Sequence, residues 1–362
     1  MATREAAQRA RNAKLDALEE RIMRSVEELV SGDDWRRAME FAARFRSRSF
    51  NNTLLIWAQH LEAYEQGRVP TPTPMWVAGF NDWKKLGRWA EAGGGYEIRS
   101  PVRVRFATTT PKDPASWRRL PKGERPRPGE VVQRRIVSVV PAHVWDVSRT
   151  HGADLPELPS PKLLTGQAPE GLWDGLASQT ESLGYEVLRM PVESISRGAN
   201  GSTDFETRQV LVRADMDPAA QVKTLAHELG HVRMHGPNQQ EARLHRGIGE
   251  VEAESVALMV GAAHGMDTSD YTIPYVAGWA ANVDGKDPIQ VIRDTGERVR
   301  RTAAHVLDQL DTIQVGNGNP VSLRVADLER SAPEEAPARS PQITHLPDRE
   351  PQVARTQDGR AL

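Results

Sequence analysis

The segment His227-Glu228-Leu229-Gly230-His231 carries the strongest chemical pattern in this chain of 362 residues. Residues four apart lie on one face of an α-helix, so both imidazoles can point at one ion. Glu228 projects about 100° around the helix axis from His227, so it can hold a water molecule without binding the ion. The pattern predicts a zinc hydrolase site with His227 and His231 as metal ligands and Glu228 as general base.

A third protein ligand is needed to complete such a site. His235 continues the series, but on a continuous helix it lies about 12 Å along the axis from His227, which is too far to share one ion. The next helical segment, GEVEAESVALMV, offers Glu250, Glu252 and Glu254. The third ligand is therefore expected among these three glutamates.

Glu252 is followed by Ala253 and, three positions on, by Ser255. This spacing resembles the Glu-Ala-x-Ser helix that supplies the third ligand in gluzincin metallopeptidases. The resemblance implies Glu252 as the ligand, with Glu254 as the second choice and Glu250 left open. Two other interpretations remain for the motif: histidines satisfied by local hydrogen bonds, or a zinc ion that only ties two helices together.

Composition narrows the possible chemistry. The chain has no cysteine, which excludes disulfides, thiolate metal sites, iron–sulfur clusters and a cysteine nucleophile. Any metal must therefore bind to His, Asp or Glu. The apolar runs are far shorter than a membrane span, and the N-terminal segment is charged from its fourth residue. We expect a cytoplasmic protein with no membrane partner.

The two halves of the chain carry opposite charge. Residues 1–150 hold 27 Lys and Arg against 18 Asp and Glu, whereas the remainder holds 20 against 31. This asymmetry predicts two modules with different partners, the basic one suited to a polyanion. We expect domains at 1–150 and 170–312, a proline-rich linker at 151–169, and a disordered tail at 313–362 without periodicity.

Hydrophobic periodicity predicts helices and strands in both modules, an α+β fold. Helices are expected at 4–30, after Asp33, at 49–60, 81–89, 171–183, 218–235, 247–265 and 288–310. Strands are expected at 96–106, 131–140 and 209–213. The last strand, just before the helix with the histidines, is a candidate sheet edge for pairing with an extended peptide.

The loop between the first two strands combines basic residues with a tryptophan. Binders of single-stranded nucleic acid join a cationic groove to aromatic side chains on which bases stack. Seven residues are candidates for such contacts: Trp117, Arg118, Arg119, Lys122, Lys84, Lys85 and Arg88. The alternative is that the tryptophans pack in the core and the basic side chains are merely solvated.

Three segments together resemble one known family. They are SFNNTLLIWAQ at 49–59, PTPMWVAGFNDWKKLGRWAEAGG at 72–94 and PAHVWDVSRT at 141–150. They are similar to the N-terminal single-stranded-DNA-binding domain of ArdC-type antirestriction proteins. The stretch from Thr203 to His231 resembles both that family and the ImmA/IrrE-like peptidases. The resemblance implies single-stranded DNA as partner, protection of incoming mobile DNA from restriction, and a zincin-like domain with Zn²⁺; a protein substrate is a further possibility.

Overall fold

The computed structural model describes residues 2–155, 166–191, 195, 199–236, 246–269, 271, 276–281 and 285–320. The expected linker lies partly, and the expected tail beyond residue 320 wholly, outside these residues. All described residues fall in one compact unit. No helix within the described ranges is long and apolar enough to cross a lipid bilayer.

Three helices open the chain, with ends set by local polar contacts. They are α1 (Ala2–Glu27), α2 (Gly32–Arg44) and α3 (Phe50–Glu65). The side chain of Ser31 accepts a hydrogen bond from the backbone nitrogen of Asp34, whose carboxylate accepts one from the Ser31 nitrogen. This reciprocal capping box fixes the start of α2. Ser49 caps α3 by accepting a bond from the backbone of Asn52.

An antiparallel sheet follows the first helices. Its elements are β1 (Val77–Gly79), α4 (Phe80–Lys85), β2 (Arg88–Ala90), β3 (Tyr96–Thr108), β4 (Arg118–Leu120), β5 (Val131–Asp146) and β6 (Thr150–Gly152). Four strands pair in the order β1-β5-β3-β4, and β2 pairs separately with β6. The long β3–β5 hairpin dominates this sheet and carries a one-residue register shift between Val102 and Arg103. The shift leaves the sheet bulged part-way along the hairpin.

The second part of the chain surrounds a small sheet with helices. It contains α5 (Leu172–Ser182), β7 (Glu186–Met190), β8 (Gly201–Asp204), β9 (Gln209–Arg213), α6 (Pro218–Met234), α7 (Arg246–Ala263), α8 (Val276–Ala281) and α9 (Pro288–Asp308). The sheet has the order β7-β9-β8, with β7 parallel and β8 antiparallel to β9. The strand expected at the edge, β9, is therefore central, and β8 forms an edge instead.

One large apolar core joins the two parts. It includes Trp35, Leu54, Leu225 and Val256, all nearly inaccessible to solvent, so helices from both parts bury surface against one another. The domain boundaries expected near residues 150 and 170 stay a prediction, since α1 to α3 contribute to the same core as α5 to α9. A smaller cluster, which includes Phe45 and Ile98, packs between the N-terminal helices and the N-terminal sheet.

The first residues of the expected tail are held by hydrogen bonds. The Arg46 guanidinium donates to the carbonyls of Val315 and Gly316, each over 3.3 Å. The backbone nitrogen of Val77 donates to the Gly318 carbonyl over 2.8 Å. Residues 315–318, at the start of the expected disordered tail, are thus held against β1 and the residues that follow α2, because their carbonyls accept bonds from buried donors there.

Helices α6 and α7 approach each other closely at Gly230. A Cβ atom at this position would lie 3.1 Å from Cα of Ala253, so the two backbones leave no room for a larger side chain. We expect Gly230→Val to lower the free energy of unfolding by about 1–3 kcal/mol, since it overpacks this contact. Gly247→Ala is the matched control, because a Cβ at Gly247 meets no atom within 4 Å. Urea denaturation with chelator present measures both; equal stability of the two variants would contradict the close contact.

Candidate metal centre and nucleic-acid interface

Helix α6 brings the first two candidate ligands to one face. Its start is fixed by Asp217, whose carboxylate accepts a hydrogen bond from the backbone nitrogen of Ala220 over 2.9 Å, and by Pro218 in the first turn. The Nε2 atoms of His227 and His231, one turn apart, come within 3.0 Å of each other. The helix therefore presents both imidazoles to the same point, as their spacing predicts.

Glu250 on α7 supplies a carboxylate at this point. Its Oε2 atom lies 3.5 Å from Nε2 of His227, and its Oε1 atom lies 3.5 Å from Nε2 of His231. One donor atom from each of the three residues lies within 4.8 Å of the others. Ligand atoms about 2.0–2.2 Å from a shared zinc ion would stand about 3.4 Å apart, so this donor set fits a divalent ion.

The outer ring nitrogens of both histidines also have partners. Nδ1 of His227 lies 3.0 Å from Oε2 of Glu254, and Oε1 of the same carboxylate pairs with Nζ of Lys223 over 3.2 Å. Nδ1 of His231 lies 2.9 Å from Nδ1 of a third imidazole, that of His235. Contacts of this kind fix the orientation of a ligating imidazole and leave Nε2 for the metal.

Glu252, the ligand expected from the Glu-Ala-x-Ser resemblance, lies elsewhere. Its Oε2 atom is 2.9 Å from Nε2 of His235, and its Oε1 atom accepts a hydrogen bond from Nε of Arg298 over 2.7 Å. The structure therefore brings Glu250, and not the expected Glu252, to the two histidines. The physical reason is helical phase: Glu250 and Glu254 share the face of α7 toward the HExxH histidines, and Glu252 projects about 200° away from both.

Glu228 occupies a buried position beside the histidines. Its Oε2 atom accepts a hydrogen bond from the Thr203 hydroxyl on β8 over 2.7 Å. A Cβ at Gly201 would lie 2.9 Å from Oε1, so glycine is needed there for the carboxylate to fit. Burial raises the pKa of Glu228, although the charge of His227 opposes the shift. A carboxylate so placed can accept a proton more readily than an exposed one.

The electrostatic field of this centre favours positive charge. Burial alone would lower the pKa of His227, but hydrogen bonds to Glu250 and Glu254 raise this pKa to about 9. The pKa of Glu250 lies far below its usual value because the imidazoles of His227 and His231 lie close to its carboxylate. The same carboxylates that attract an imidazolium would attract a metal cation to the two imidazoles.

One face of the β3–β5 hairpin carries arginines. Arg105 lies directly opposite Arg134, and Arg103 two residues away lies opposite Ile136. Side chains two apart on a strand share a face, so Arg103, Arg105 and Arg134 lie on one face of this strand pair. Like charges directly opposite each other on neighbouring strands destabilise the pair. An anion bound to this face would relieve the repulsion.

The opposite face of the hairpin combines arginine with aromatic rings. The guanidinium of Arg135 lies 4.4 Å from the ring centroid of Trp117 and 5.4 Å from that of Phe106. Trp117 is half-buried beneath this contact, and Arg119 on the adjoining strand is exposed. The expected tryptophan is therefore next to basic groups, as a base-stacking surface requires. Arg134 and Arg135 were not singled out by sequence reasoning, although their strand had been predicted.

The other expected DNA contacts divide by their protein partners. Arg118 binds Glu124 and Glu130, each over 2.7 Å, and holds the pKa of Glu130 down to about 2. Lys85 pairs with Asp82 over 2.8 Å, and Arg88 donates to the side chain and carbonyl of Thr150. Lys84 lies 5.9 Å above the half-exposed ring of Trp89. Lys122 is exposed and makes no ion pair within the part of the chain that the structure describes.

Two family models match the chain, one in each part. Residues 13–133 match the N-terminal domain of anti-restriction factor ArdC. Residues 180–273, which contain the candidate metal centre, match the IrrE N-terminal-like domain of the M78 peptidases. The chain therefore combines an ArdC-like N-terminal domain with an IrrE-like second domain. The ArdC-type recognition and the α+β fold class expected from the sequence are thereby confirmed.

Individual relatives are distant. An uncharacterized protein of Bacillus anthracis is 25% identical over 304 residues, which cover 78% of this chain and 48% of that protein. The chain thus spans about half the length of this curated relative. Two crystal structures of the antirestriction ArdC protein from plasmid R388 are also similar, and the aligned residues cover 72% of this chain and 84% of the ArdC chain. The metal-free form has 16% identity and a TM-score of 0.42, and the Mn(II)-bound form 17% and 0.40.

The convergence of the donor atoms generates a prediction about Glu250. We expect Glu250→Ala to weaken Zn²⁺ binding by more than about tenfold, since it removes a donor atom and not only an indirect contact. Competition with a chromophoric chelator measures the dissociation constant. The control is Glu206→Ala, which removes an exposed carboxylate outside this cluster. Unchanged affinity in Glu250→Ala would exclude Glu250 as a ligand.

Proposed function

We propose that this ArdC-type protein binds single-stranded DNA, protects incoming mobile DNA from restriction in the cytoplasm, and holds Zn²⁺ at His227, His231 and Glu250. The observation that carries the metal part is the convergence of two Nε2 atoms and a carboxylate within 4.8 Å. Two imidazoles and one carboxylate are a ligand set of catalytic zinc sites, which keep a fourth position open. The DNA part is supported by the ArdC family match and by the hairpin.

The hairpin has the two properties that single-stranded DNA requires. Arg103 and Arg134 are exposed and form no ion pair with any residue in the described ranges, so their charge is available to phosphates. Trp117 and Phe106 provide rings beside Arg135, where bases can stack. A binding mode built on phosphate contacts and stacking tolerates many sequences, as protection of unrelated incoming DNA demands.

A second candidate function is that of a zinc metallopeptidase, and the position of Glu228 favours it. A purely structural metal site has no use for a buried carboxylate beside its ligands, whereas a hydrolase requires one as general base. A divalent ion, when bound, supplies Lewis acidity that polarises a carbonyl group and acidifies water. The candidate substrate is a cytoplasmic regulator or defence protein.

The residues around Glu228 have separate roles in such a hydrolysis. The Thr203 hydroxyl occupies Oε2 of Glu228, which leaves Oε1 to take a proton from the attacking water. The same carboxyl group then delivers that proton to the leaving amine. Strand β8 is adjacent to Glu228 and lies at an edge of its sheet in the described part of the chain, so an extended peptide could pair with it.

The arginine face generates a prediction about salt dependence. We expect Arg103→Ala and Arg134→Ala each to weaken binding of a labelled single-stranded oligonucleotide and to reduce the slope of log K against log salt by about 0.7. Fluorescence polarisation at several salt concentrations measures both. Arg213→Ala is the control, because Arg213 lies on the other sheet and its charge is paired with Asp215. Equally weak binding to single- and double-stranded DNA by the wild type would contradict the proposal.

The peptidase candidate predicts a separation between metal binding and activity. We expect Glu228→Gln to bind Zn²⁺ as the wild type does, because Glu228 is not among the three converging donors. Its protection of transferred plasmid DNA in a restricting host should be lost, since an amide cannot accept the proton. Full protection by Glu228→Gln would show that hydrolysis plays no part, and loss of protection together with loss of zinc would leave only a metal-dependent fold.

A further inference from the structure

We propose that His235, Glu252 and Arg298 form a hydrogen-bonded relay that fixes the tautomer of His231 and thereby directs its Nε2 lone pair at the metal. The relay rests on the metal site proposed above, and it makes His235 and Glu252 positioning residues rather than ligands. It also explains why a buried histidine and a buried glutamate lie next to the metal centre without contributing a donor atom to it.

The relay is continuous from the protein surface to the metal centre. Two guanidinium nitrogens of Arg298 donate to Oε1 of Glu252. Oε2 of the same carboxylate lies 2.9 Å from Nε2 of His235, and Nδ1 of His235 lies 2.9 Å from Nδ1 of His231. The side chains of His235 and Glu252 are each 7% exposed, whereas that of Arg298 is 50% exposed.

The order of donors follows from the carboxylate. An ionised Glu252 can only accept, so Nε2 of His235 must carry a proton and donate it. Neutral His235 then has its lone pair on Nδ1, which accepts a hydrogen bond from Nδ1–H of His231. Neutral His231 is left with its lone pair on Nε2, the atom that faces Nε2 of His227. Each proton position is therefore set by the charge at the outer end of the relay.

Each of the two candidate ligands has a partner that holds a proton on its Nδ1 atom, but the partners differ. His227 donates from Nδ1 directly to the carboxylate of Glu254. His231 lies one turn further along α6, and there an imidazole is inserted between the ligand and its carboxylate. In metal sites, replacing the residue that hydrogen-bonds to a ligating histidine weakens metal binding by about 10–100-fold. A similar effect is expected from a change at Glu252, which reaches the ligand His231 through His235.

An isosteric substitution reverses the relay. In Glu252→Gln, the two donors of Arg298 hold the amide oxygen, so the NH₂ group faces His235. Nε2 of His235 must then accept, its proton moves to Nδ1, and Nδ1 of His231 becomes the acceptor. The proton of His231 is left on Nε2, where it blocks coordination. Packing is preserved, because Gln and Glu have nearly the same shape.

The test uses the full chain in two measurements. Two-bond ¹H–¹⁵N correlation spectra of the metal-free protein report the tautomer of His231, assigned by comparison with His231→Gln. Competition with a chromophoric chelator gives the dissociation constant for Zn²⁺. We expect the Nδ1–H tautomer in the wild type, the Nε2–H tautomer in Glu252→Gln, and an affinity at least about tenfold lower in that variant.

A double variant and a control separate the relay from general damage. Glu252→Gln with Arg298→Met frees the amide to turn its oxygen toward His235, so tautomer and affinity should move back toward the wild type. Glu297, the neighbour of Arg298 on α9, contacts the Phe50 nitrogen and Arg300 and not the relay. The control Glu297→Gln should therefore change neither measurement.

The outcomes distinguish the relay from the metal site. An Nε2–H tautomer at His231 in the wild type would overturn the relay by itself, whatever the variants do. So would an unchanged tautomer and affinity in Glu252→Gln. Wild-type protein that binds no Zn²⁺ but shows the expected tautomers would instead refute the proposed metal site and leave the relay supported.

Discussion

The candidate metal centre depends on the close, antiparallel packing of α6 against α7. His227 lies level with Glu254 near one end of the contact, and His235 lies level with Glu252 near the other. Gly230 allows the two backbones to approach between these levels. Because the helices are held at this distance, two imidazoles from one helix and a carboxylate from the other can meet at a single point.

The same helix α7 ties the centre to the N-terminal part of the chain. The indole nitrogen of Trp35 on α2 donates to the Ser255 hydroxyl over 2.8 Å in the buried core. Helix α9 makes a second connection, since Glu297 accepts a bond from the backbone nitrogen of Phe50 and Arg298 binds Glu252. Helices α2 and α3, which precede the N-terminal sheet, are thus part of the packing that positions the candidate metal ligands.

Charge is distributed in the structure according to the chemistry of each part. The excess of acid in the second half of the sequence is concentrated in part on α7, where Glu250, Glu252 and Glu254 each have a cationic or imidazole partner. The excess of basic residues in the first half includes Arg103 and Arg134, which lie on one face of the paired strands β3 and β5. Opposite fields of this kind suit a cation in one part and a polyanion in the other.

The sequence alone determined the longer helices and strands, the HExxH face of α6 and the resemblance to ArdC-type proteins, because periodicity and residue spacing are local properties. Its helix at 81–89 was wrong beyond Lys85, because Arg88–Ala90 form the strand β2. It predicted β9 with its observed bounds, and helices close to α6, α7 and α9. Only the tertiary structure decided that Glu250 and not Glu252 meets the histidines, since the rotation of α7 about its axis is set by packing. An acidic pair four residues apart, Glu250 and Glu254, was the available signal. Which arginines share a face depended likewise on strand register, which hydrogen bonds between distant segments fix.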